Sequence, residues 1–254
     1  MIVILSPAKT LNFKNNSSYK TFSSPEFVNE AQKLVDVLKN FSPANLMDLM
    51  DISAGLAELN YMRFQKWSMG HTAENSKQAV FAFNGEVYNG LKAQTLTDKQ
   101  LNFAQAHLCL LSGMYGALRP LDLIQPYRLE MGTQLSFDNY KNLYAFWNGK
   151  INNYLNIRLA SDKSHTLVNL ASDEYSKSVQ FKKIDGKIIT PVFKELRGNN
   201  YKVITVYAKK ARGTMARFII ENQVENPDDL KYFDLDGYGF TESLSDSSIW
   251  VFAR

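Results

Sequence analysis

Ile2-Val3-Ile4-Leu5, followed at once by Ser6-Pro7, is the stretch on which the fold prediction rests. Short apolar runs that are rich in β-branched residues and stopped by turn residues are typical of buried strands. A second run of this kind, Thr166-Leu167-Val168-Asn169-Leu170, is followed by Ser172-Asp173-Glu174. Polar side chains therefore follow two predicted strands, which is a common location for sites in α/β proteins.

Segments with helical spacing alternate with short β-rich runs along the whole chain. The predicted helices cover residues 25–38 with Ser24 as N-cap, 43–50, 55–67, 98–110, 140–160 and 212–222. The predicted strands cover residues 2–5, 79–83, 166–170, 187–194, 201–207 and 249–252, and the polar stretch 14–24 is predicted to be a loop. This alternation predicts a mixed α/β (α+β) fold, a single compact domain over residues 1–254 with a central mixed sheet flanked by helices.

The composition excludes several classes of protein. With 45% hydrophobic and 21% charged residues among 254, the chain is neither disordered nor collagen-like. A single cysteine, Cys109, excludes a disulfide scaffold and favours a reducing, cytoplasmic location. The first ten residues lack the features of a signal peptide, and no apolar run approaches the roughly 18 residues of a membrane span, so no membrane partner is predicted.

The positive charge of the chain is concentrated in residues 201–217. This stretch holds Lys202, Lys209, Lys210, Arg212 and Arg217 and no acid, so it alone exceeds the net charge of +4. We predict that these cations lie where a strand gives way to a helix. First-turn N–H groups and the helix dipole favour an anion at such a junction, so the stretch is predicted to form an anion site. Gly213 would then allow close approach of that anion. The alternative is a solvated helix face balanced by Glu221 and Glu225.

Two further segments place charged groups in turns. Arg119 and Arg128 lie in proline-containing turns, where a guanidinium could bind phosphate or carboxylate; alternatively they pair with Asp122 and Glu130. Asp173 and Glu174 could supply a general base or a metal ligand. The alternative, which the sequence favours, is that they form the first turn of a helix capped by Ser172.

Standard catalytic and cofactor motifs are absent from the sequence. It contains no G-x-S-x-G elbow, no P-loop and no H-E-x-x-H, and its three histidines and Cys109 have no metal-ligand spacing. We therefore predict no cofactor and no metal. Two short helices at about residues 46–67, joined near Ser53 and Gly55, resemble a helix-hairpin-helix, although that motif normally has two glycines and an ordinary αα-corner is the alternative.

Five ordered blocks identify a family. They are LSPAKT (5–10), LSGMYGALRPLD (111–122), PYRLEMG (126–132), NLASDEY (169–175) and YAKKARGTMARFIIEN (207–222). Together they closely resemble the YaaA family of bacterial peroxide-stress proteins over nearly the whole chain. The resemblance implies a cytoplasmic protein of the oxidative-stress response, associated with low free iron and limited oxidative damage to DNA. It also implies a mixed α/β domain with a helix-hairpin-helix element and a cationic cleft that binds duplex DNA.

The resemblance and the charge pattern give three functional hypotheses. The first is sequence-independent binding of double-stranded DNA through its phosphates, at the cations that match the family blocks, which are Lys9, Arg119, Arg128, Lys209, Lys210, Arg212 and Arg217. The second is an enzyme that acts on a small anionic or nucleotide-like substrate in the same cleft, with candidate groups Ser6, Tyr115, Glu130, Asp173 and Glu174. The third is direct sequestration of iron, which lacks a ligand cluster. A broad, uniformly positive surface would favour DNA, and a narrow pocket with acids facing arginines would favour the enzyme.

Overall fold

The computed structural model describes residues 1–14 and 19–254, so part of the predicted loop 14–24, residues 15–18, lies outside the described residues. The strands are β1 (Ile2–Leu5), β2 (Thr10–Leu11), β3 (Lys77–Gln78), β4 (Phe83–Asn84), β5 (Leu108–Ser112), β6 (Gly116–Leu118), β7 (Leu123–Ile124), β8 (Thr166–Leu170), β9 (Lys187–Arg197), β10 (Asn200–Lys202), β11 (Gly239–Phe240) and β12 (Ile249–Ala253). The α-helices are α1 (Val28–Leu38), α2 (Pro43–Met50), α3 (Ala54–Lys66), α4 (Ala79–Ala82), α5 (Glu86–Leu91), α6 (Asp98–His107), α7 (Leu143–Trp147), α8 (Lys150–Ala160), α9 (Asp173–Ser176) and α10 (Thr205–Glu221).

A mixed eight-stranded sheet forms the centre of the fold, as predicted. Its order is β11-β12-β9-β8-β1-β5-β6, with β10 paired to β9 outside this path. The pairs β8–β1, β1–β5, β8–β9 and β9–β12 are parallel, whereas β6, β10 and β11 pair antiparallel. Helices α8 and α10 both pack against β1, every residue of which is buried.

The position of β1 creates a crevice. Its parallel neighbours are β8 on one side and β5 on the other, so the chain crosses over β1 between these two strands. At such a switch point the loops that leave the carboxyl ends of the strands diverge, and ligands bind between them in open α/β sheets. The loops that leave β1 and β8 begin at Ser6 and Ala171.

Two glycines bring α5 and α10 into backbone contact. A Cβ at Gly213 of α10 would lie 1.7 Å from the carbonyl oxygen of Val87, and a Cβ at Gly90 of α5 would lie 2.2 Å from that of Lys210. Real Cβ atoms do not approach this closely, so only glycine fits at either position. The close approach predicted for Gly213 is therefore made by α5 and not by an anion.

The predicted start of the last long helix is wrong. Helix α10 begins at Thr205, so Lys209, Lys210 and Arg212 lie within it and not at its N-terminus. Residues 201–207 are rich in β-branched and aromatic side chains, which favour strands. Tertiary packing overrides this propensity here, because α10 packs against α5. The hairpin turn is confirmed, but its second strand is only Asn200–Lys202.

Other predicted elements differ mainly at their ends. Residues 79–82 form a helix and not a strand, and its first N–H groups, those of Ala79 and Val80, donate to the carbonyl oxygens of Asp122 and Pro120. A fully buried apolar run has no periodicity that separates the two structures. The predicted helix 98–110 ends at His107, where β5 follows, and the predicted helix 140–160 is broken at Gly149, whose φ is +78°. Helix α1 begins at Val28 with Phe27 as N-cap, so Ser24 does not cap it.

Candidate functional site

A cavity of about 290 Å³ lies in the crevice at the carboxyl ends of β1 and β8. Its walls come from the loop after β1, the turn between β4 and α5, the start of α9, and α10. The lining residues are Ser6, Pro7, Ala8, Lys9, Thr10, Asn84, Gly85, Glu86, Val87, Ser172, Glu174, Tyr175, Lys209 and Arg212. This volume is near the lower end of the range for small-molecule sites, about 300–1,000 Å³.

Two serines fasten the loops on either side of the cavity. The backbone N–H of Ser172 donates to Ser6 Oγ at 2.8 Å, and Ser6 Oγ donates to Ser172 Oγ at 3.2 Å. The buried hydroxyl of Tyr88 donates to the carbonyl oxygen of Ser6 at 3.1 Å. Ser172 occupies the N-cap position of α9 as predicted, but its side chain makes no capping hydrogen bond. The hydroxyls instead link the loop after β1 to the loop after β8.

Helix α10 contributes two cations to the cavity. Lys209 and Arg212 lie three residues apart, on one face of the helix, and neither forms a hydrogen bond or ion pair with any residue in the described ranges 1–14 and 19–254. Burial lowers the pKa of Arg212, and the nearby charge of Asp173 partly opposes that effect. A desolvated guanidinium without a direct partner is a strong attractor for an oxyanion.

Glu174, in α9, supplies an acid to the wall of the cavity. Its Oε1 accepts a hydrogen bond from the backbone N–H of Gly132 at 2.9 Å, and its carbonyl oxygen accepts one from the hydroxyl of Tyr144 at 2.9 Å. A Cβ at position 132 would lie 3.2 Å from that carboxylate oxygen, so glycine allows the close contact. The carboxylate of Glu174 is thereby held in one orientation beside the cavity.

A small second cavity of about 10 Å³ adjoins the first. The two share Pro7, Ala8, Lys9 and Tyr175, and the second is completed by Tyr127, Arg128, Leu129 and Glu130. Glu130 holds two cations here, Lys9 Nζ at 2.6 Å and Arg128 Nη2 at 2.7 Å. Arg128 therefore pairs with Glu130, as one of the two interpretations from the sequence predicted. This ion pair nevertheless lies beside the main cavity.

Three of the predicted cations lie elsewhere and have local partners. Arg119 pairs with the fully buried Asp122, with 3.1 Å between Nη2 and Oδ1. Lys210 pairs with Asp236 at 3.2 Å. Arg217 donates to the carbonyl oxygens of Leu91 and Lys92, to Thr95 Oγ1 and to Glu221 Oε1. The structure brings together Lys9, Lys209, Arg212 and, in the adjoining cavity, Arg128.

The other candidate residues are also dispersed. Tyr115 is fully buried outside the cavity, where its hydroxyl accepts hydrogen bonds from Trp67 Nε1 and the N–H of Gln125 and lies 3.0 Å from His71 Nε2. Ser53 is the N-cap of α3 without a capping hydrogen bond, and Gly55 lies in the first turn with open space around it. Among the candidate catalytic residues, Ser6 and Glu174 line the main cavity and Glu130 the second one.

The turn between β4 and α5 is the wall that the sequence analysis missed. Asn84, Gly85, Glu86 and Val87 all line the cavity. An Asn-Gly dipeptide is a recognised turn signal. The strand predicted for residues 79–83 ends just before this dipeptide and masks its turn signal, and the place of the turn beside β1 comes from the pairing of β4 with β2.

Within residues 1–14 and 19–254, no group of three or more His, Cys, Asp or Glu side chains is arranged to hold a metal ion. No helix in these same ranges has both the length and the apolar character needed to cross a bilayer.

These features define a class, namely mixed α/β proteins with a crevice at the carboxyl edge of the central sheet that is lined by both cations and acids. The chain belongs to the family described as peroxide stress protein YaaA, whose sequence profile matches residues 1–244. A UPF0246 protein of Ralstonia nicotianae is 50% identical over 254 residues, which are 100% of this chain and 99% of that protein. UPF0246 proteins of Aliivibrio fischeri and Alteromonas mediterranea are 48% and 49% identical, each over 100% of this chain and 98% of their own length.

Proposed function

We propose that this peroxide-stress protein binds a small anionic metabolite, such as a phosphorylated or nucleotide-like compound, in the crevice between β1 and β8. The observation that carries the proposal is Arg212, a mostly buried cation that lines the cavity and forms no hydrogen bond or ion pair within the described ranges, with only the nearby charge of Asp173 to offset its own. Burying a charge without a partner is costly, and a bound oxyanion would offset this cost.

The charge balance of the crevice supports a small ligand over a polymer. The acids Glu86 and Glu174 share the main cavity with its cations, and Glu130 lines the adjoining one. Carboxylates repel the closely spaced phosphates of DNA, whereas they suit a ligand that also carries hydroxyl or amino groups. Glu174, held beside the cavity by Gly132, is the group we propose as general base if the ligand is a substrate.

Arg212→Met is expected to weaken binding of a small phosphorylated ligand by about 10- to 100-fold, because it removes a charge-assisted hydrogen bond from a poorly solvated position. The measurement is a thermal-shift screen of nucleoside monophosphates, sugar phosphates and inorganic phosphate, followed by calorimetric titration of each compound that raises the melting temperature.

Lys210→Met is the matched control for that experiment. It removes the same charge from the same helix, but Lys210 pairs with Asp236 and does not line the cavity. We expect it to change the dissociation constant by no more than about 2-fold. Equal losses in both variants, or no stabilisation of the wild-type protein by any anionic compound in the screen, would contradict the proposed function.

Sequence-independent DNA binding is the second candidate function, and the exposure of two cations that line the cavity favours it. The Lys9 side chain is 64% exposed and Lys209 is also exposed, so both could reach a phosphate backbone. Lys209→Ala should then weaken binding to every duplex alike and flatten the dependence of log K on log salt by about one unit. Filter-binding titrations over a range of salt concentrations measure this slope, and a salt-independent affinity would exclude the candidate. Protection of DNA from iron-dependent damage would be the proposed outcome of such binding.

A further inference from the structure

The Arg128 guanidinium has one hydrogen-bonding edge that is only half used. The side chain is 17% exposed, and Nη2 donates to Glu130 Oε1 at 2.7 Å. The neighbouring Nε–H is buried and has no acceptor among residues 1–14 and 19–254. Nε and Nη2 together form the fork with which arginine holds both oxygens of a carboxylate or phosphate. Glu130 therefore meets only one donor of the fork and leaves a buried N–H unsatisfied.

Glu130 also neutralises Lys9, the cation that lines both cavities. Its second oxygen, Oε2, lies 2.6 Å from Lys9 Nζ. One carboxylate thus occupies the point at which cations from two separate loops converge, next to the cavity that contains Arg212. A ligand that spans both cavities would meet Lys209 and Arg212 at one end and Lys9 and Arg128 at the other.

We propose that Glu130 is an internal competitor for a second anion subsite, and that the ligand carries two anionic groups, one of which displaces the Glu130 carboxylate from Arg128 and Lys9. This proposal rests on the proposed function, since it assigns the other anionic group to Arg212. A ligand carboxylate or phosphate in the fork would accept from both Nε and Nη2, which the Glu130 contact does not achieve.

The space beside Arg128 is too small for a second anionic group unless the Glu130 side chain moves away. The second cavity, at about 10 Å³, has room for about one oxygen atom, whereas a carboxylate or phosphate group has two or more. Glu130 is 20% exposed, so its side chain has solvent into which it can turn. Displacement makes the subsite selective, because a ligand with one anionic group has nothing to exchange for the Glu130 ion pairs.

The direction in which Glu130→Gln changes ligand affinity tests the proposal. If Glu130 only positions Lys9 and Arg128, its loss should weaken binding; if it competes, its loss should strengthen binding of a ligand with two anionic groups. The probes are 3-phosphoglycerate, which has a phosphate and a carboxylate, and glycerol 3-phosphate, which lacks the carboxylate. We expect Glu130→Gln to tighten binding of 3-phosphoglycerate about 10-fold in calorimetric titrations at fixed ionic strength, and to change glycerol 3-phosphate less than about 2-fold.

Glu86→Gln controls for general electrostatics. Glu86 lines the main cavity and its carboxylate accepts a hydrogen bond from Asn89, so its change removes the same charge without touching Lys9 or Arg128. We expect both probes to respond equally to it. The proposal is overturned if Glu130→Gln weakens 3-phosphoglycerate binding, affects both probes alike, or leaves 3-phosphoglycerate without measurable binding. If phosphate binding that depends on Arg212 persists in that case, the second subsite is wrong and the proposed function stands.

Discussion

Gly213→Ala is expected to lower the free energy of unfolding by at least about 3 kcal/mol, or to prevent folding, because the added methyl group has no space. Its Cβ would lie 1.7 Å from the carbonyl oxygen of Val87 and 2.7 Å from the carbonyl carbon. Both are backbone atoms of α5, which cannot turn aside as a flexible side chain can. Urea denaturation followed by circular dichroism measures the change.

Gly55→Ala is the matched control, since it also places alanine for glycine in a helix. No atom lies within 4 Å of a Cβ at Gly55, in the first turn of α3. Because alanine has the higher helix propensity, this variant should be as stable as the wild type or more stable by up to about 1 kcal/mol. A Gly213→Ala protein that unfolds at the wild-type urea concentration would show that α5 and α10 are not in backbone contact.

The backbone contact between α5 and α10 explains why only part of the cavity lining could be predicted from the sequence. The strand ends at Ser6 and Ser172 follow from local signals, namely an apolar run stopped by turn residues, and the structure places both in the cavity wall. The arrangement of Lys209 and Arg212 does not follow from local signals. It depends on Gly213 and Gly90 seating α10 on α5, a contact between segments more than 100 residues apart in sequence.

The local ion pairs show a second limit of sequence reasoning. From their neighbours, Arg119 and Arg128 are equivalent, because each lies in a proline-containing turn two or three residues before an acid. The structure pairs both with that acid, but at opposite ends of β5. Arg128 adjoins the cavity, whereas antiparallel β6, which pairs Leu118 with Leu110, carries Arg119 back toward the amino end. Strand direction, which separates the two, is not encoded near either arginine.

Asp122→Ala is expected to cost about 3 kcal/mol or more of unfolding free energy, because the carboxylate is fully buried and organises the turn around it. It accepts hydrogen bonds from Ser23 Oγ at 2.6 Å, from the N–H of Arg119 at 2.8 Å and from Arg119 Nε at 3.2 Å. Burial raises the pKa of Asp122, and these bonds oppose the rise. Arg119→Met should cost less, about 1 to 2 kcal/mol, since the guanidinium is 37% exposed.

The double variant Arg119→Met/Asp122→Ala separates a fold role of Arg119 from a binding role. If the two side chains stabilise the turn as a pair, the double variant should be more stable than the sum of the single changes predicts, by about 1 to 2 kcal/mol in urea denaturation. Arg119→Met, assayed well below its melting temperature, should bind the phosphorylated ligands as tightly as the wild type does, whereas Arg212→Met should bind them about 10- to 100-fold more weakly. Because Arg119 lies toward the amino end of β5, additive stabilities together with a loss of ligand binding would place Arg119 in the ligand site and contradict a structural role for its pair with Asp122.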